Sequence, residues 1–167
     1  VQGHEGAIAV SSVKNRETEF QIYIPQMEEE MSDRSQVDTS LHFGQENILF
    51  VEDDPDQRAS VPRALEKLGY TVVAANNADD AMDKFNSHNL SFDLIITDYD
   101  MPKTNGLMLA KQLQGVSPKT PVIMVSGRQF DYSRTDYVNI KQLITKPYDK
   151  ITLSGAVRKV MNNVHME

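Results

Sequence analysis

The amino-acid sequence predicts an α/β domain built on a doubly wound, five-stranded parallel sheet, with a β-hairpin-like extension in front of it. Three observations carry this. Short apolar runs such as Ile48-Leu49-Phe50-Val51, Leu94-Ile95-Ile96 and Val122-Ile123-Met124-Val125 read as strands buried on both faces. Segments with helical spacing separate them, which points to parallel strands joined by crossovers. Four of the runs also end in chemically distinctive residues: Glu52-Asp53-Asp54, Asp98, Ser126-Gly127 and Lys146-Pro147.

The elements follow in order. Residues 1–25 read as two alternating strands, Ala7 to Val13 and Thr18 to Ile24, around the polar turn Lys14-Asn15-Arg16-Glu17. Residues 26–46 are polar and acidic (Glu28-Glu29-Glu30, Asp33) and read as a linker. The domain itself spans 47–165. Its first strand is Ile48–Val51. A helix from Pro55 to Leu68 follows, with Asp54 as N-cap, Pro55 in the first turn and Gly69 beyond the end. Pro62 inside it predicts a kink. Thr71–Ala75 is the second strand, and Ala78 to Ser87 a helix whose apolar side is Ala81, Met82 and Phe85. Phe92–Asp98 is the third strand, Leu107–Gln114 a short helix, Pro121–Val125 the fourth strand and Leu143–Thr145 the fifth. A last helix over Ile151–Val164 turns Leu153, Val157, Val160, Met161 and Val164 to one side. Segment 128–142 lacks 3.6-residue periodicity, and any helix there is expected to be short or distorted. Right-handed crossovers and a flavodoxin-like order, 2-1-3-4-5 within the domain, gather the C-terminal ends of strands one, three, four and five at one switch point.

Composition bounds the function. No stretch of the 167 residues approaches the roughly 18 apolar residues of a membrane span, so no membrane contact is expected of this fragment. No signal peptide is visible at Val1, which reads as a cut end rather than a native start. The absence of cysteine excludes disulfides and thiolate metal sites and fits the cytoplasm. A net charge of −7 argues against direct nucleic-acid binding, and its plain reading is solubility. His4, His42, His88 and His165 stand in polar contexts, read as surface residues and receive no role.

The strand-end residues suit phosphoryl transfer to a carboxylate. With Asp54 capping the helix, Glu52 and Asp53 remain to converge with Asp98. Such a carboxylate cluster calls for a hard cation, and Mg²⁺ takes oxygen ligands in octahedral geometry. Asp53 and Asp98 would ligate directly, Glu52 would hold a coordinated water, and the Asp100 carbonyl would complete the protein ligands. Asp98 would be the nucleophile. Lys146 and the Ser126 hydroxyl would neutralise the equatorial oxygens together with the metal. Lys146-Pro147 is expected to be a cis peptide that aims the lysine.

The ordered set Glu52-Asp53-Asp54-Pro55, Asp98-Tyr99-Asp100-Met101-Pro102 with Gly106, Ser126-Gly127 and Lys146-Pro147 resembles a response-regulator receiver domain over about residues 46–165. The resemblance implies phosphotransfer from a phosphohistidine to Asp98, Mg²⁺ dependence and slow self-catalysed dephosphorylation. It implies a histidine kinase or a histidine-phosphotransfer domain as partner, and leaves dimerisation open. Residues 3–10 and 18–25 resemble the closing strands of a histidine-kinase ATP-binding domain. The whole would then be a cytoplasmic, C-terminal part of a hybrid sensor kinase, a class whose parent chain can be membrane-anchored. Two features depart from the pattern. Leu143 stands where the family often has Tyr or Phe, and Ser126 and Lys146 are closer in sequence than usual. Asp100 and Arg128 occupy positions that tune dephosphorylation in receivers.

Two other readings compete. Asp98-Tyr99-Asp100 also resembles the Asp-x-Asp of haloacid-dehalogenase-like phosphatases, but Pro102 stands where that family wants Thr or Val, and the motif is not on the first strand. A pseudo-receiver that binds partners without phosphorylation is the other; the intact acid, Ser126 and Lys146 set argues against it, while Leu143 and the irregular 128–142 segment keep it open.

Overall fold

Apolar residues alternate between the two faces of every central strand, and that alternation organises the domain. The computed structural model describes residues 7–13, 17–23, 40–87, 91–128 and 139–164. The expectations for segment 128–142 fall largely outside these residues, as do those for His4, His88 and His165. Two compact units are present, Val1–Val37 and Asp38–Glu167.

The first unit contains β1 (Ala7–Val13) and β2 (Glu17–Tyr23), paired antiparallel with Ile8 opposite Ile22 and Val10 opposite Phe20. Period-2 alternation puts these four on one face, where all are more than half exposed. The opposite face carries the polar chain Tyr23–Gln21–Glu19, linked by side-chain hydrogen bonds of 2.8 and 3.0 Å.

The second unit contains β3 (Asn47–Val51), α1 (Pro55–Glu66), β4 (Thr71–Ala75), α2 (Ala78–Ser87), β5 (Leu94–Asp98), α3 (Gly106–Val116), β6 (Val122–Ser126), β7 (Ile140–Thr145) and α4 (Lys150–Val164). The five strands pair in parallel in the order β4-β3-β5-β6-β7, which is the order expected from sequence. Ile48, Phe50, Ile96, Ile123, Val125 and Ile144 face α1 and α4. Leu49, Val51, Ile95, Val122 and Met124 face α2 and α3.

Several boundaries differ from expectation. Strand β7 begins at Ile140, three residues early, because Lys141 and Gln142 hide an edge strand whose register shifts opposite Val122/Ile123. Helix α1 continues through the buried Pro62 to Glu66. Residues 41–46, expected as the end of the linker, belong to the same compact unit as the sheet and pack on it. Leu41 joins the α1/α4 core, the His42 amide donates to Ser154 Oγ (3.4 Å), and the Gly44 amide donates to the Leu68 carbonyl (3.0 Å). His42 is therefore half-buried rather than a surface residue. No helix among the described residues is long and apolar enough to cross a membrane.

Candidate functional site

Parallel pairing places the C-terminal ends of β3, β5, β6 and β7 side by side, so residues distant in sequence share one edge of the sheet. Glu52 follows β3 directly, and its amide donates to the Ala75 carbonyl (3.1 Å). The loop then turns into α1. Asp54 caps the helix, its side chain accepting from the Gln57 amide (2.8 Å), and Pro55 occupies the first turn. That leaves Glu52 and Asp53 facing the sheet edge. Carboxylate oxygens of Glu52, Asp53 and Asp98 all lie within 4.8 Å of one another. Glu52 is 2% and Asp98 7% exposed, while Asp53 is more exposed than either and forms the mouth of the cluster.

Lys146 crosses from the end of β7 to this group. Its ammonium donates to Glu52 Oε2 at 3.0 Å and lies 3.1 Å from Asp98 Oδ2. The Lys146 amide is held by the Ser126 carbonyl (2.8 Å), and Lys146-Pro147 is cis, as expected. Burial pushes the Glu52 carboxyl above its ordinary pKa, and the charge of Asp98 adds to this, against the opposing effect of Lys146. Burial by itself would lower the Lys146 pKa, but the hydrogen bond to Glu52 and the adjacent Asp98 carboxylate outweigh it and raise the net value.

The remaining site residues are placed as follows. Ser126 is fully buried at the end of β6, and its hydroxyl accepts from the Arg128 amide (3.0 Å). Asp100 lies in the turn after β5. Its carboxylate forms an exposed pair with Arg128 at 2.8 Å and is not part of the three-acid cluster. Gly106 opens α3 against the strand end: its amide donates to the Tyr99 carbonyl (3.1 Å), and a Cβ there would collide with the Asp98 carbonyl oxygen. Leu143 is half-buried against the α2/α3 core.

Two side chains near the cluster were not anticipated. Arg58, one turn into α1, donates from Nη1 to the carbonyls of both Glu52 (3.0 Å) and Asp53 (2.8 Å). The only sequence hint is a cation shortly after an acidic triplet. Tyr148 lies two residues past Lys146, close enough to feel its charge and those of Glu52 and Asp98. Among the described residues its buried hydroxyl has no hydrogen-bond partner, and burial raises its pKa.

The donor set suits Mg²⁺. Hard carboxylate oxygens converge in the buried cluster, one member opens to solvent, and a single lysine offsets only part of their charge.

A doubly wound sheet whose switch point gathers carboxylates around a lysine defines the class: an α/β domain with an anion-neutralising, cation-accepting strand edge. The particular family follows from comparison, since residues 48–158 match the response regulator receiver domain model, and the chain belongs to that family. Accepting a phosphoryl group within two-component systems is the function of that family. Among curated proteins, the chain is 33% identical over 116 residues to the autoinducer 1 sensor kinase/phosphatase LuxN of Vibrio campbellii, covering 70% of this chain and 13% of that protein. It is 28% identical over 168 residues to the sensor kinase CckA of Brucella abortus, covering 93% of this chain and 18% of that protein. The chain thus spans a small part of these relatives. Among solved structures, the receiver domain of the hybrid histidine kinase CckA is 31% identical with a TM-score of 0.57, covering 69% of this chain and 98% of that one. The response regulator TrrA of Thermotoga maritima, solved in complex with Mg²⁺-BeF, is 27% identical with a TM-score of 0.62, covering 69% of this chain and 98% of that one.

Proposed function

We propose that this chain is a phosphoacceptor of a two-component phosphorelay, taking a phosphoryl group from a phosphohistidine onto Asp98 with Mg²⁺ held by Glu52, Asp53, Asp98 and the Asp100 carbonyl. One observation carries the reading: the convergence of Glu52, Asp53 and Asp98 beside the Lys146 ammonium. In the transfer, an Asp98 carboxylate oxygen forms the new P–O bond as the P–N bond of the donor breaks. The electron pair of that bond leaves with the imidazole, which keeps or regains a proton. Bound Mg²⁺ would supply charge neutralisation at the transferring group. Lys146 supplies a second positive charge within 3.1 Å of Asp98, and moving it from Glu52 toward a phosphoryl oxygen exchanges one anionic partner for another. The Ser126 hydroxyl, one strand over, accepts from the Arg128 amide and would donate its own proton to a further oxygen.

The hairpin supports a place in a hybrid sensor kinase, as the remnant (residues 1–25) of a histidine-kinase ATPase domain. The alignment with the CckA sensor kinase covers 93% of this chain, more than the domain at 47–165 alone. The partner would then be the kinase's own phosphohistidine or that of a histidine-phosphotransfer domain.

Incubation with Mg²⁺ and acetyl phosphate tests the site. One acid-stable, hydroxylamine-labile adduct is expected, abolished in Asp98→Asn and by chelation of Mg²⁺. An adduct that survives Asp98→Asn would refute the assignment. No adduct, together with no beryllofluoride response, would favour the phosphorylation-independent pseudo-receiver.

A further inference from the structure

We propose that Arg58 is a positioning residue for the metal site, acting through the backbone on Asp53. The inference rests on the reading of Glu52, Asp53 and Asp98 as Mg²⁺ ligands. Arg58 Nη1 donates to the carbonyl of Glu52 (3.0 Å) and to that of Asp53 (2.8 Å). Those two carbonyls belong to the peptide planes on either side of the Asp53 Cα. Fixing both planes fixes φ and ψ of Asp53, and with them the direction of its Cβ. Both carbonyls turned toward α1 leave the Asp53 carboxylate directed to the sheet edge, where it lies within 4.8 Å of the other two acids.

Asp53 needs such a constraint more than its neighbours do. Glu52 and Asp98 are buried and tied to Lys146. Asp53 is more exposed than either, and among the described residues no hydrogen bond or ion pair holds its carboxylate. Arg58 is itself anchored. Its amide donates to the Asp54 carbonyl (2.9 Å) in the first turn of α1, and the Asp54 side chain caps that turn. The guanidinium is a rigid, permanently charged fork, suited to satisfying two carbonyls at once.

The positioning role and the charge of Arg58 predict opposite effects on metal affinity. A cation near the acids disfavours Mg²⁺, so if charge were all that mattered, Arg58→Ala would bind Mg²⁺ more tightly. If Arg58 aims Asp53, the same substitution weakens binding on the scale of other groups that orient metal ligands, about 10-fold. Calorimetric Mg²⁺ titration of the full chain decides between them, with circular dichroism as the check on folding. The expected result is an approximately 10-fold higher Kd in Arg58→Ala and an intermediate one in Arg58→Lys, which keeps the charge but not the fork. In an Asp53→Asn background, Arg58→Ala should change the residual affinity no further, which a general loosening of α1 would not reproduce. A folded Arg58→Ala variant that binds Mg²⁺ as tightly as the wild type overturns the proposal. If Arg58→Ala does not fold, an unchanged Kd in Arg58→Lys overturns it instead. Absence of Mg²⁺ binding by the wild type would instead overturn the metal-site reading itself.

Discussion

The two ends of the sheet each carry a buried or half-buried ion pair, and they are tuned in opposite directions. At the N-terminal edge, Arg158 meets Glu46 at 2.6 Å and stacks over the Tyr70 ring at 5.9 Å. One acid faces one base. Burial of Glu46 opposes ionisation, but the Arg158 guanidinium beside it outweighs that, and its pKa falls below the ordinary value. At the C-terminal edge, one lysine serves Glu52 and Asp98 with Asp53 close by, and the Glu52 pKa rises instead. The balanced edge sets one charge against one opposite charge. The acid-rich edge keeps an electrostatic deficit that a divalent cation would relieve, the arrangement expected where binding strength is drawn from groups held in an unfavourable state.

The largest test of this contrast is Lys146→Ala. It leaves two almost fully buried carboxylates without their cation and should cost about 3 kcal/mol, read as a fall in urea midpoint. Millimolar Mg²⁺ should restore much of that loss, and restore it more than it stabilises the wild type. Equal stabilisation of both proteins would erase the supposed deficit.

At the opposite edge, Gly69 closes α1 at φ +96°, and an added Cβ would meet the Gly44 carbonyl oxygen. Gly69→Ala should cost about 1–2 kcal/mol in thermal or chemical unfolding. It should leave Mg²⁺ affinity and adduct formation unchanged, because it disturbs only the edge that carries no acids in excess. A coupled loss of metal binding would mean the two ends are not independent.

The smallest expected effect has the least intuitive sign. A carboxyl whose pKa is raised in the folded protein favours folding in its protonated form. Its contribution is full below the ordinary value near 4.5 and is lost as pH rises through the higher folded value. Glu52→Gln removes that penalty. Above this range the variant should therefore melt at a slightly higher temperature than the wild type without Mg²⁺, while binding Mg²⁺ more weakly. A lower melting temperature at neutral pH would show that the pair with Lys146 dominates after all.

Much of this edge was legible because strand-end chemistry survives in one dimension. Pro55 separated Asp54, the cap, from Glu52 and Asp53, the acids that face the cluster, and Gly69 marked the end of α1. What stayed hidden depended on the third dimension. Arg58 acts on main-chain oxygens, and a cation on a helix has no pattern that reveals its partners. The start of β7 was masked because Lys141 and Gln142 lie on an edge strand, where one side meets solvent and polar residues are tolerated. Residues 41–46 read as linker because their ties to the fold are mostly main-chain bonds, and those leave no hydrophobic period.

Gly106 has one more consequence. Its missing side chain is what lets α3 begin directly beneath the Asp98 carbonyl, with Met124 Sδ 2.8 Å from where a Cβ would stand. Position 106 is thus a clearance fit: any substituent there would be transmitted as displacement to the main chain that carries Asp98, so the placement of that carboxylate is set partly by an atom that is not there.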